Sequence, residues 1–232
     1  MAIIYGRAES EKELLKNYPD EVKRIEDIPR MYEHFKAKVN EEERGFFAGI
    51  KKWNKQRQVN KFEKNKDNPF HAGARGELQV LDKLSHLTDD YHVLCGVNIA
   101  LPNYVTYNGR KNLRSAQMDF VVVSKKGVIL IEVKNWSTDY YNQNKDLSPH
   151  EQVDRAGLVL WIGLKSWRNP RNPRVTKVLL SLRGNIKYEP RYKYVLTSDL
   201  NKINYFVENR KEEFSDKDVE RIVGRLKGYV TN

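Results

Sequence analysis

The sequence predicts an α/β protein built on a mixed sheet, and three observations lead there. Past residue 68, apolar runs of strand length alternate with amphipathic stretches of helix length. Turn-forming clusters rich in Gly, Pro, Asn and Asp separate them. The order is helix, strand, strand, strand, helix, strand, helix, which a mixed sheet flanked by helices accommodates.

Residues 1–68 read as a charged helical N-terminal extension, set apart from a domain at 69–232. Asp27 and Pro29 mark a helix start before Met31. Met31, Phe35, Val39, Phe46, Phe47, Ile50 and Trp53 recur at mostly helical spacing, which predicts one packed stripe interrupted near Gly45. "KKWNKQRQVNKFEKNKDNP" (51–69) is basic, with Trp53 and Phe62 interleaved. It suits a phosphate backbone, but a solvated helix face whose aromatics dock on the body is the preferred reading. "KDNPF" (66–70) is a turn and the expected boundary.

The next elements follow from local chemistry. "AGARGELQVLDKLSHL" (72–87) carries Leu78, Leu81, Leu84 and Leu87, with Val80 alongside, and predicts an amphipathic helix after glycines. "YHVLCGVNIAL" (91–101) reads as a strand, and Asn108-Gly109 as a tight turn. "AQMDFVVVSKKGVILIEVKNW" (116–136) reads as two strands joined at "SKKG", with Gly127 suited to a hairpin. "DLSPHEQVDRAGLVLWIGLKSW" (146–167) predicts a helix with Ser148 as cap, Pro149 in its first turn and Glu151 completing a capping box. "RNPRNPRVTK" (168–177) reads as a loop and "YKYVLTS" (192–198) as a strand. "SDKDVERIVGRLKGYV" (215–230) closes the chain as a helix capped by Ser215 or Asp216.

The composition narrows the function classes. The 232 residues carry a formal net charge of +11, which points to a polyanionic partner such as nucleic acid. Cys95 is the only cysteine, so neither an intrachain disulfide nor a cysteine zinc cluster can form. "GLVLWIGL" (157–164) is far shorter than the roughly 20 apolar residues of a membrane span. "MAIIYGRAESEKELL" lacks the pattern of a secretory signal. The expectation is a cytoplasmic protein without membrane contact. No phosphate-cradling G-x-x-x-x-G-K-[ST] is present, so no nucleotide cofactor is expected. His34, His71, His86, His92 and His150 show no metal-ligand spacing and read as structural or exposed.

Three charges stand out inside apolar strands: Asp119, Glu132 and Lys134. Charge in such a place is costly unless it is paired. A hairpin turning near 125–127 pairs residue 119 roughly with 133 and sets Asp119 beside Glu132 and Lys134. One reading is a structural ion pair, which yields little net stability and leaves one carboxylate over. The other is a pair of carboxylates holding a hard divalent cation, with the lysine beside an attacking water. The residue chemistry leaves both open.

Asp119, an apolar strand, a turn and Glu132-Val133-Lys134 resemble the D-(x)n-E-x-K signature of the PD-(D/E)XK nuclease superfamily. The flanking blocks narrow the resemblance to its nuclease-related domain, the NERD family. "GARGE" (73–77) is similar to that family's G-x-x-G-E helix, and "SPHEQVDR" (148–155) to its N-P-x-x-Q-x-x-R helix, with Ser148 where Asn is common. Four blocks stand in the family's order across 72–200. The resemblance implies a restriction-endonuclease-like αβββαβ core and magnesium- or manganese-dependent cleavage of DNA, as an endonuclease. It implies that Asp119, Glu132 and the Val133 carbonyl ligate the metal and that Lys134 orients or activates the attacking water. Glu77 would bind a second metal or a metal-bound water, and Gln152 a phosphate or the metal shell.

Beyond the motif, Arg155 is a candidate for the same phosphate as Gln152 and equally for a pair with Glu151, four residues earlier. Lys165, Arg168, Arg171 and Arg174, around Trp167, form a basic stretch suited to a DNA backbone. Trp136 reads as a core aromatic. The N-terminal extension is a candidate for substrate choice or homodimer contacts. Two other functions stay open: a non-catalytic nucleic-acid-binding module, and a nuclease acting on RNA or branched DNA.

Overall fold

Six strands form one sheet whose order in space is the order in the chain. The structure is a computed structural model that describes residues 1–40, 48–68, 70–135, 148–165, 173–183 and 186–230. The elements are β1 (Ile3–Tyr5), α1 (Glu9–Leu15), α2 (Asp27–Asn40), α3 (Ala48–Asn65), α4 (Phe70–Ser85), β2 (His92–Tyr107), β3 (Arg110–Ser124) and β4 (Gly127–Lys134). They continue with α5 (Pro149–Lys165), β5 (Val175–Ser181), β6 (Val195–Asp199), α6 (Ile203–Glu208) and α7 (Asp216–Leu226). The chain divides into two units, Glu9–Arg75 and Met1–Ala8 with Gly76–Asn232. No helix among the described residues is long and apolar enough to cross a membrane.

In the first unit α2 packs on α3, because Phe35 and Phe62 are both buried and their rings meet at 5.8 Å. Tyr18 joins the same cluster, edge-on to Phe62, and its hydroxyl hydrogen-bonds the His71 ring at 2.8 Å. Val59 and Phe62 are buried on α3, while Trp53 is 62% exposed with the Arg57 guanidinium over its ring. Phe62 is thus packed inside its own unit, against Tyr18, Tyr32 and Phe35, and Trp53 is exposed. Phe46 and Phe47 of the proposed stripe lie outside the described residues.

The second unit holds the mixed sheet. β1 runs parallel to β2, β2–β3 and β3–β4 are antiparallel, and β4, β5 and β6 are parallel neighbours. Helices lie on both faces. Val153, Ala156, Val159, Leu160 and Leu164 of α5 share a core with Val121, Val123, Val128 and Leu130. Val80 and Leu84 of α4 share the opposite core with Phe120, Val122, Ile129 and Ile131. Alternation along β3 and β4 thus feeds two cores at once, as a sheet covered on both sides requires.

Several expectations are corrected. β1 lies in the segment read as helical. β5 falls partly in the segment read above as a basic loop: "VTKVLLS" is rich in strand formers and pairs with β4 from Val128 to Lys134. α6 adds a short helix that the sequence pattern does not signal. On α4 the buried line is Glu77, Val80 and Leu84, with Leu87 just past the helix, while Leu78 and Leu81 are only partly covered. A strict three-residue spacing drifts around a helix of 3.6 residues per turn, so the leucine stripe could not stay on one face.

The β3–β4 turn consists of Lys125 and Lys126 alone, with Ser124 opposite Gly127. The register is therefore one residue shorter than the one expected. Ser148 does precede α5, and its carbonyl accepts from Gln152 N at 3.0 Å. The two side chains of the expected capping box have other partners: the Ser148 hydroxyl donates to Glu189, and Glu151 accepts from the Tyr192 hydroxyl at 2.9 Å. The box forms instead on α7, between Ser215 and Asp218.

His150, in the first turn of α5, is fully buried, and neither ring nitrogen has a hydrogen-bond partner. Burial pushes its pKa down, against the pull of Glu189, 3.6 Å from Nδ1. The unfolded chain then binds a proton that the folded chain refuses, so stability falls as pH drops below about 6.5. Thermal melts of wild type and His150→Leu between pH 7.5 and 5 should show a wild-type loss that the variant lacks; parallel curves would contradict this.

Candidate active site

The site begins with a break in the pleat. Gly96 on β2 has φ +60, a left-handed conformation suited to glycine. Around it Leu94 and Val97, three residues apart, face the same core, and so do Met118 and Val121 on β3. Regular alternation would place them on opposite faces. Asp119 occupies the interruption. The β3–β4 ladder ends next to it, at Phe120 opposite Ile131. The Val133 N–H donates instead to the Asp119 carboxylate, Oδ2 at 2.7 Å. A side chain thus takes the place of a backbone partner where the two strands part.

Glu132 and Lys134 project from the end of β4 on one face. The Lys134 ammonium donates to Glu132 Oε1 at 2.8 Å, and each side chain is only 13% exposed. The structure therefore brings Asp119, Glu132 and Lys134 together, as the spacing suggested. The pairing of Glu132 with Lys134 leaves Asp119 to the Val133 N–H.

Burial pushes the Asp119 carboxyl well above its ordinary range, and the charges of Glu132 and Glu77 push it further. Lys134 and the Val133 N–H pull the other way without compensating. Burial works against the Lys134 ammonium, but Glu132, Asp119 and Glu77 outweigh it and hold its pKa above the usual lysine value. Lys134 is thus favoured as a cation and hydrogen-bond donor in this setting.

Glu77 is buried on α4 and contributes to the field at both residues. Its neighbour explains how the helix comes so near. A Cβ on Gly76 would lie 2.8 Å from Leu182 Cδ1 and 3.2 Å from Asn135 Cβ, residues just past the ends of β5 and β4. The second glycine of "GARGE" is a close-approach glycine, and it delivers the carboxylate that follows.

Gln152 stands half-buried in the first turn of α5. Among the described residues no hydrogen bond ties its side chain to the Asp119 cluster. The surrounding turn is strongly anchored. Asp154 accepts from the Tyr107 hydroxyl at 3.0 Å and pairs with Lys177, while Tyr192 and Ser148 bond as described above. Arg155 lies 4.0 Å from Glu151 Oε1, with its guanidinium over the Tyr107 ring. The pair with Glu151 is therefore present, at the long end of an ion-pair distance. Lys165 is exposed and sits over the Trp161 ring, and Arg174 is exposed. Arg168, Arg171, Trp136 and Trp167 lie outside the described residues.

Sequence reasoning did not find the anchors Tyr107, Asp154, Lys177, Glu189 and Tyr192, because each is met from a distant segment. The kink was within reach, since a glycine inside a strand signals a bulge or a close approach.

The donor types at this point suit a hard divalent cation: two carboxylates and a strand end with backbone carbonyls. The electrostatics fit as well, because a cation would offset what disfavours a charged Asp119. Among the described residues no group of three or more His, Cys, Asp and Glu side chains is assembled to hold a metal ion.

Fold and site together define a mixed α/β protein with two carboxylates and a lysine gathered where two strands of its sheet part. Residues 72–180 match the family model of the nuclease-related domain, NERD, the family that the four sequence blocks resemble. The match runs from the first turn of α4 into β5 and contains Glu77, Asp119, Glu132, Lys134 and Gln152. No curated protein matches the chain.

Two outcomes follow. Asp119→Asn keeps an oxygen for the Val133 N–H and removes a charge whose ionised form the fold disfavours. In EDTA it should raise Tm by about 2–4 °C, the scale of about 1 kcal/mol for a chain of this size; a lowered Tm would refute the electrostatic account. Gly76→Val should destabilise by about 1–3 kcal/mol through overpacking against Leu182 and Asn135, read from denaturant midpoints, and an unchanged midpoint would show that α4 is not wedged there.

Proposed function

We propose that this chain is a metal-dependent nuclease that hydrolyses DNA phosphodiester bonds, most simply as an endonuclease. The observation that carries the reading is the convergence of Asp119, Glu132 and Lys134 where β3 and β4 part. The order α4–β2–β3–β4–α5–β5 supports a restriction-endonuclease-like αβββαβ core. The nuclease-related match over the same residues supports the activity class.

Asp119 and Glu132 would hold Mg²⁺ or Mn²⁺, with the Val133 carbonyl as a further oxygen. Such a cation supplies Lewis acidity toward the scissile phosphate and makes hydroxide available near neutral pH. Lys134, already charged, donates hydrogen bonds toward the attacking water and the non-bridging phosphate oxygens, where negative charge builds up. Glu77, whose charge helps hold the ammonium protonated, would bind a second metal or a metal-bound water. Gln152, at the anchored start of α5, donates to a substrate phosphate. Lys165, Arg168, Arg171 and Arg174 contact the DNA backbone. Arg155 joins them only by leaving Glu151.

The test is cleavage of supercoiled, linear and single-stranded DNA with Mg²⁺ or Mn²⁺. Glu132→Ala and Lys134→Ala should each lose at least about 100-fold in rate, the usual effect of removing one stabilising group. Wild-type protein that binds DNA yet cuts none, with variants indistinguishable from it, would leave the non-catalytic binding module in its place. Preferential cutting of RNA or branched DNA would move the substrate and leave the site.

A further inference from the structure

The β2–β3 pair is far longer than the sheet that it belongs to. Its ladder runs from His92–Val123 to Tyr107–Arg110, with register shifts between Ala100 and Val105 and between Val105 and Thr106, and turns at Asn108-Gly109, both with positive φ. β4 stops much earlier. Continued three positions, the register that pairs Phe120 with Ile131 sets the end of β4, Lys134, level with Gln117. Residues Arg110 to Ala116 and their partners therefore overhang the catalytic end of β4 as a two-stranded ribbon. At about 3.3 Å per residue the overhang is about 20 Å long.

This ribbon is neither loose nor neutral. Leu101, Tyr107 and Leu113 are buried in the core that α5 fills with Leu160 and Leu164, so one side is fixed to the body. The other side is open. Tyr104 is 53% exposed, with the Arg114 guanidinium over its ring, and Arg114 Nε donates to the Leu101 carbonyl at 3.3 Å. Arg110 and Lys111 are exposed beside the turn. From Tyr91 to Met118 there is no Asp or Glu, although acidic residues make up 31 of the chain's 232. The acid-free stretch ends at Asp119 itself.

We propose that the β2–β3 ribbon is the duplex grip of this protein, laid in a groove of double-stranded DNA beside the bond to be cut. It rests on the nuclease reading for its ligand. The major groove admits a two-stranded β-ribbon, and a ribbon without carboxylates meets no repulsion between flanking phosphates. Arg114 lies five residues from Asp119, and Arg110 nine, about 17 and 30 Å along an extended strand. That reach is within about one turn of duplex from the site. Arg110 and Lys111 pair with phosphates, and the Tyr104–Arg114 stack presents a flat cationic face to the sugar edge.

The experiment is fluorescence anisotropy with a 20-base-pair duplex and a matching single strand, in EDTA, over a salt series. Arg110→Gln/Lys111→Gln should weaken duplex binding roughly tenfold and make the plot of log K against log salt shallower by about 1.8, or 0.9 for each phosphate contact. Arg110→Lys/Lys111→Arg should restore both, and the equal charge loss Lys16→Gln/Arg30→Gln in the other unit should change neither. Melting curves check that the hairpin variants stay folded. Duplex binding that is unchanged in the tip variant, lost equally in the control, or affected only for the single strand overturns the grip. A wild type that binds no DNA overturns it together with the nuclease reading; a wild type that binds and cuts, with an indifferent tip, overturns the grip alone.

Discussion

The bond from the Val133 N–H to the Asp119 carboxylate organises this protein. A β-ladder normally continues until one strand ends, but here it stops while both strands go on. Asp119 takes the donor that a backbone carbonyl would have accepted, and β3 is released to follow β2. Without such a substitution the Val133 N–H would need another acceptor in a largely buried position. The same interaction opens the site and frees the overhanging ribbon.

The charges around that bond form a system that is unfavourable on its own. Two carboxylates and one ammonium lie at the edge of two apolar cores, with a third carboxylate acting from α4. Burial raises Asp119, and the acidic neighbours raise it again, while the same neighbours keep Lys134 protonated. Both shifts run upward, so the same acidic surroundings favour a neutral carboxyl at Asp119 and a charged ammonium at Lys134. The fold offsets the cost elsewhere, through a sheet covered by helices on both faces.

The two helices that frame the site are held in different ways. α4 comes close because Gly76 has no side chain to keep it away from Leu182 and Asn135. α5 is held by polar bonds from four directions: Tyr107, Lys177, Glu189 and Tyr192. A wedge of packing sets Glu77, and a collar of hydrogen bonds fixes the turn that carries Gln152. Arg155, next to that collar, lies within 4.0 Å of Glu151 with its guanidinium over the Tyr107 ring.

The sequence by itself determined the helix–strand–strand–strand–helix run from α4 to α5, the places of the two hairpin turns and the identity of the three charges. These are local properties: alternation, turn residues and short motif spacing are written within a few positions of one another. It also placed Glu77 and Gln152 on helices flanking the hairpin. It did not reveal that β5 lies beside β4, because a basic, proline-rich approach masked a strand whose partner lies 47 positions away, as at Val128 and Val175. It placed the register one residue off, since a two-residue turn and a three-residue turn look alike in "SKKG". Only the tertiary structure decided that Lys134 pairs with Glu132 and Asp119 with a backbone N–H. Those choices depend on where two strands separate, and that point is set by packing across both faces of the sheet, which no single segment encodes.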